Sequence, residues 1–151
     1  SSIVETESSY APQAYNVYVN IQESLMVQFV FADTSVTGAM YWKGTDYTEN
    51  AVHDESTKTG ETDIAVQGQY VSCSINGINA YNIYEDYYVR GYNANGELTK
   101  TYTHGIAAYL SKQITKSQSQ SDAESQALVE LCKAMLIYGK NAMENDAVNK
   151  G

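Results

Sequence analysis

Five residues spaced two apart in one stretch of the chain carry side chains suited to gripping a ligand: Tyr84, Asp86, Tyr88, Arg90 and Tyr92. Successive side chains of a strand point to opposite faces, so these five share one face and Tyr87, Val89 and Gly91 share the other. The second set reads as core. The first alternates aromatic rings with a carboxylate and a guanidinium and is expected to face solvent. Such rings stack on the apolar face of a sugar while neighbouring polar groups bond its hydroxyls. Tyr41, beside Trp42, is a further candidate for the same surface. The chain holds 14 tyrosines against two phenylalanines and one tryptophan, so the choice between binding and packing recurs along it. Each tyrosine also fits a packing role, because tyrosine favours strands and pairs across them. Trp42 shares a side with Val36 and Met40 and reads as core.

No arrangement of residues points to catalysis. The two histidines, His53 and His104, lie in different segments, and His53-Asp54-Glu55 reads as solvated charge in a polar loop. No Gly-x-Ser-x-Gly elbow is present to expose a nucleophile. Glu85 and Asp86 are neighbours in an expected strand, so they point apart and cannot flank one bond as a glycosidase pair does. No enzymatic activity, catalytic residue or cofactor is expected. Cys73 and Cys132 form no Cys-x-x-Cys cluster, which argues against zinc. Both fall on apolar sides of their elements, the pattern of buried free thiols. A bridge between them requires the two elements to pack together. The turn Asn93-Ala94-Asn95-Gly96-Glu97 has one carboxylate, too few for a calcium loop. No metal is expected.

The net charge is −9, with one arginine and eight lysines. Affinity for nucleic acid comes mainly from cations that neutralise phosphates, so nucleic acid and anionic membrane are poor partners. No apolar run approaches the roughly 20 residues that cross a bilayer, and no membrane insertion is expected. Residues 1–13 lack the basic start and apolar centre of a signal peptide and read as a flexible lead-in. A single domain is expected over 14–146, with a tail at 147–151.

Period-two alternation predicts strands over 15–21, 25–32, 36–43, 70–75, 84–92 and 98–103, with a weaker one over 64–66. The segment 44–62, with five acidic residues, one lysine and His53, reads as a long surface loop. Such a loop either carries function or hides a short edge strand. Asn76-Gly77 is a turn signal, and Gly96 completes a hairpin. Ile106, Tyr109, Leu110 and Ile114 have the spacing of a short helix, followed by a polar connector over 116–120. Ser121-Asp122-Ala123-Glu124 is a capping box. It opens a longer helix with an apolar stripe of Leu128, Leu131, Cys132, Met135, Tyr138 and Ala142. Tyr109 and Tyr138 are expected in the core. The fold class is α+β: an antiparallel β-sandwich with a C-terminal α-helix packed on the β-layer.

The C-terminal half carries a more specific pattern. Tyr88-Val89-Arg90-Gly91-Tyr92 is followed by the Gly96 turn and by Thr101-Tyr102-Thr103-His104-Gly105-Ile106-Ala107-Ala108-Tyr109. The last helix contains Lys133-Ala134-Met135-Leu136-Ile137-Tyr138-Gly139-Lys140-Asn141-Ala142. Over residues 14–144 this resembles a β-rich module, ending in a Lys-Ala-Met-Leu-x-Tyr-Gly-x-x-Ala helix, that recurs in large cell-surface and secreted proteins of anaerobic gut and rumen Firmicutes. The chain departs from that module at Gly105, where serine is more usual, a departure that reads as trivial, and in its long 44–62 loop. The resemblance implies a non-catalytic module, extracellular or on the cell surface, appended to larger proteins that often act on plant polysaccharide. The expected partners are a polysaccharide or glycan and other domains of a parent protein. The alternative is a spacer or docking module that contacts protein alone.

Overall fold

The computed structural model describes residues 9–21 and 24–150, with side chains through 146. The first strands, β1 (Ala14–Asn20) and β2 (Leu25–Phe31), pair antiparallel. They are followed by β3 (Val36–Lys43), β4 (Gly60–Glu61), β5 (Asp63–Gln67) and β6 (Tyr70–Ile78). A helical turn, Ala80–Asn82, leads to β7 (Asp86–Asn93) and β8 (Tyr102–Gly105), then to α1 (Ile106–Gln118) and α2 (Ala123–Lys150). The strands form two antiparallel sheets, ordered β1-β2-β6-β5 and β4-β3-β7-β8. The expected α+β sandwich is what forms.

The alternation of each central strand explains the layers. Val27, Phe29 and Phe31 of β2 and Val71, Cys73 and Ile75 of β6 are buried against Ala39, Tyr87 and Val89 of the second sheet. Val30 is buried too, so β2 is covered on both faces. The two cysteines are free and buried. Burial pushes the Cys73 thiol up to about 12 and raises Cys132, so both stay protonated and unreactive at neutral pH.

Several local features differ from the sequence expectations. Asn76-Gly77 is not a turn. Leu25 pairs with Ile78 and Val27 with Ile75, so the extra residues form a bulge, which Gly77 permits with a φ of 64°. The weaker strand expected over 64–66 forms as β5 at the edge of the first sheet, and the long loop hides a further two-residue edge strand, β4. Strand β7 begins at Asp86, and Tyr84 precedes it in a turn. Helix α1 continues through the polar residues 116–118 with Ser117 buried. Helix α2 is capped by Asp122 rather than Ser121, whose place in the box is one residue early. The Asp122 carboxylate accepts the Ser125 amide at 3.0 Å, and Asp122 O accepts the Gln126 amide. Tyr138 is 57 % exposed, not core. Residues 1–8 of the expected lead-in lie outside the described residues. Beyond them Pro12 is buried, Tyr10 and Ser35 hydroxyls bond at 2.7 Å, and Gln13 O accepts the Ala32 amide. The helix also runs on through the expected tail to Lys150.

Two glycines set how the helices meet the sheets. At Gly105, between β8 and α1, an added Cβ would lie 2.8 Å from Glu85 O and 3.0 Å from Asp86 Oδ1. Serine at this position would force the β7–β8 pairing apart, so glycine there has a steric reason and is not trivial. At Gly139, on α2, an added Cβ would lie 2.9 Å from Ile83 Cβ. Ile83 is fully buried there. In an ordinary mid-helix position Gly→Ala stabilises by about 1 kcal/mol. Gly139→Ala is expected to reverse that sign and lower stability by about 1–3 kcal/mol through overpacking. Urea denaturation of the variant checks it, and an unchanged or raised midpoint would contradict the close contact.

Candidate functional site

The six candidate residues do not form one exposed platform. Strands β3 and β7 pair with Trp42 opposite Tyr88, Met40 opposite Arg90 and Gly38 opposite Tyr92, so those six residues do share the outer face of the second sheet. That face is covered by the 44–62 loop. Trp42 is fully buried, and its Nε1 donates to Thr57 Oγ1 at 3.1 Å. Tyr47 of the loop lies sandwiched between His53, at 4.0 Å and 10°, and Tyr88, at 3.8 Å and 7°. His53 meets Trp42 edge-on, and its Nε2 bonds Thr48 O at 2.8 Å. A carbonyl only accepts, so Nε2 carries the hydrogen. Arg90, expected in solvent, is 8 % exposed. Its Nε donates to Thr99 O at 2.7 Å and its Nη1 to His53 O at 2.8 Å, which ties the loop to the β7–β8 hairpin.

The remaining candidates scatter. Tyr84 is exposed beside α2, and its hydroxyl donates to Leu136 O at 2.8 Å. Asp86 is exposed at the start of β7. Tyr41 lies on the opposite face, edge-on to Tyr87 between the sheets. Tyr92 lies across Gly38 and donates to Glu61 Oε1 at 2.6 Å. That hydrogen bond, aided by burial, pushes its phenol up to about 12. Beside it is a hollow of about 490 Å³ bordered by Asp54, Glu55, Lys58 and Glu61. Its lysine is already paired, Lys58 Nζ lying 2.9 Å from Glu61 and 3.9 Å from Glu55.

A better site lies at the open side of the sandwich. On one side the chain passes from β4 to β5 through Thr62 and so joins the two sheets. On the other, the edge strands β1 and β8 stay apart and leave a cleft of about 600 Å³ flanked by α1. Phe29 and Phe31 lie at its base. Tyr102 of β8 rests edge-on against Phe31, with ring centroids 5.6 Å apart. Tyr15 and Asn16 of β1 form one wall, and Tyr109, Lys112, Gln113 and Lys116 of α1 form another. Lys100 Nζ sits 5.3 Å from the Tyr102 ring centroid. His104 also lines the cleft. Burial, and then the Lys112 charge, hold its imidazole below the ordinary 6.5, against an opposing pull from Asp86. His104 is therefore neutral at pH 7, able both to donate and to accept a hydrogen bond.

Sequence reasoning passed over this cleft because its residues come from three elements and none dominates its own segment. The helical spacing of Tyr109, Lys112, Gln113 and Lys116 was the available signal, since those positions share one face of α1. Among the described residues no group of three or more His, Cys, Asp or Glu side chains is placed to hold a metal. No helix among them is long and apolar enough to cross a membrane. The fold and the cleft define a sandwich domain with one open, aromatic-lined edge. Comparison with protein-family models, curated proteins and solved structures found no match to the chain.

Two outcomes follow from this geometry. Arg90→Lys keeps the charge but loses the fork that bonds two carbonyls at once. Its stability is expected to fall by about 2 kcal/mol, since two buried acceptors lose their donors. Because Trp42 is the sole tryptophan and lies beneath the clamped loop, its fluorescence in a denaturant titration reports the loss. For His104 the folded form binds a proton more weakly than the unfolded one. Its contribution is complete above pH 6.5 and is lost as pH falls through that value towards the lower folded one. His104→Gln is expected to flatten the drop in urea midpoint between pH 7 and pH 5; an unchanged drop would refute the assignment.

Proposed function

We propose that this protein is a non-catalytic extracellular accessory module that binds polysaccharide or glycan in the cleft between β1, β8 and α1. The observation that carries the reading is the cleft itself. Its rings, from Tyr102 and Tyr109, supply the flat apolar faces on which sugars stack, while the Tyr15 ring at the rim packs on Tyr70 at 4.7 Å. Asn16, Gln113 and neutral His104 supply donors and acceptors for hydroxyls. The site thus moves from the β7 face, which the loop occupies, to the open edge. Support for the non-catalytic part is the fate of the adjacent carboxylates. Glu85 Oε1 accepts the Thr45 amide at 2.8 Å, while Asp86 is exposed at the start of β7. The extracellular placement rests on the resemblance of the terminal segments to a secreted module.

A second reading, a docking module for other domains, draws on α2. Leu131, Ile137, Tyr138 and Met143 are 45, 61, 57 and 43 % exposed along that helix. Under this reading the chain contacts protein and leaves the cleft empty.

A glycan array followed by calorimetry separates the two. Binding to at least one plant-type oligosaccharide is expected. Tyr109→Ala removes a half-buried ring of the cleft, and with the fold verified by circular dichroism the loss is in binding. One stacking contact of about 1 kcal/mol corresponds to roughly fivefold weaker affinity. An array without any hit, and amide resonances of the cleft that do not move with any glycan, would favour the docking module.

A further inference from the structure

We infer that the cleft selects acidic glycans, oligosaccharides carrying uronic acid carboxylates, over neutral ones. This rests on the reading of the cleft as a glycan site and specifies its ligand class. The argument starts from charge. The chain has 18 acidic residues against nine basic ones. Yet among the described residues no aspartate or glutamate lines the cleft, while Lys112, Lys116 and His104 do. Lys100 adds a third ammonium at the rim, over the Tyr102 ring. Three of the eight lysines thus converge on one opening of an acidic protein.

Among the described residues these lysines have no carboxylate partner. The ion pairs found among the described residues belong to Lys58, and none involves Lys100, Lys112 or Lys116. The acidic hollow beside Tyr92 shows the contrast, since there the lysine is already neutralised by its carboxylate neighbours. Lys112 and Lys116 stand one helical turn apart on the same face of α1, with roughly 5–6 Å between their Cβ atoms. That geometry places two long, flexible cations over one binding groove. A lysine meets a carboxylate as a mobile point charge, without demanding the fixed bidentate geometry of arginine. An oligosaccharide whose sugars carry carboxylates can satisfy both cations while its rings lie on Tyr102 and Tyr109. A neutral oligosaccharide leaves both cations to water. Asp86, the carboxylate that acts on His104, does not line the cleft and so does not compete for these lysines.

The test measures affinity for an oligogalacturonate and for a neutral xylo-oligosaccharide of equal length, by calorimetry. The expected result is at least tenfold tighter binding of the acidic sugar at low ionic strength. The gap should shrink severalfold in 0.5 M salt, because exposed charges are screened over a few ångströms there. It should close in the Lys112→Gln/Lys116→Gln variant, whose substitutions lie at exposed helix positions. Equal affinity for the two sugars, or a gap that survives the double substitution, overturns the inference and leaves the cleft as a neutral-glycan site. Failure of both sugars to bind, together with a blank array, overturns the glycan reading and this inference with it. A short polyglutamate peptide is the third arm. If it binds as tightly as the oligogalacturonate, charge alone is being recognised and the inference falls.

Discussion

The fold hinges on one side chain, Ile83. It lies between the helical turn and β7, is fully buried, and fits the notch that Gly139 leaves in α2. Its carbonyl accepts the Ala107 amide at 3.0 Å, which satisfies a donor in the first turn of α1. The next residue, Tyr84, reaches α2 through its hydroxyl on Leu136 O. A single short connection thus fixes the start of α1 and the middle of α2 against the sandwich. The position of α1 in turn sets the width of the open edge. Glycine within a helix costs backbone entropy. The cost is tolerated at Gly139 because any larger residue would lift α2 away from Ile83.

The second constraint is the covering of the second sheet. An antiparallel sheet can leave its outer face to water. Here β3 and β7 carry Trp42, Met40, Tyr88 and Arg90 on that face, and such a surface would be an exposed apolar patch. The 44–62 loop converts it into a small second core. Its contribution is one sandwiched ring, Tyr47, one buried imidazole, His53, and one carbonyl for the guanidinium. Thr57 and Glu61 add acceptors for the Trp42 indole and the Tyr92 hydroxyl, and other loop side chains hold the loop's own shape. Asp54 caps the turn to Ser56, and Thr59 bridges Asp46 to the Lys43 amide. A polar loop with two aromatic rings can therefore act as a lid of fixed structure.

The two kinds of order differ in how far they were legible from residues alone. In β2 and β6 the alternating Val27, Phe29, Phe31 and Val71, Cys73, Ile75 reach the inter-sheet core directly. In β3 a bulge between Val36 and Gly38 puts Val36 in that core and Met40 and Trp42 on the outer face, so the side expected to unite them is split. Alternation also placed Tyr87 and Val89 inside. It could not place Tyr88, Arg90 and Tyr92, because alternation assigns a side without saying what covers it. The cover came from a loop without periodicity, in which Tyr47 and His53 were the only hints. Tyr138 failed for a related reason. Helical spacing grouped it with Cys132 and Met135, but α2 meets the body of the protein along a narrow strip through Cys132 and Gly139, and Tyr138 falls outside that strip. The cleft was the least legible part, since its walls are set by where α1 comes to rest.

The lysines at the open edge invite a simpler explanation, which the placement argues against. Edge strands present unpaired amides and carbonyls, and lysine on an edge discourages pairing with another chain. That account fits Lys100, which adjoins β8. It does not fit Lys112 and Lys116, which stand on a helix whose own backbone bonds are satisfied. Nor does it explain the exposed edge strand β5, where Ile64 and Val66 are 38 and 63 % exposed and lysine is absent. If lysine served edge protection in this fold, β5 would need it most. The cations gather instead where two sheets diverge over aromatic rings, so the placement tracks the cleft and not the edges.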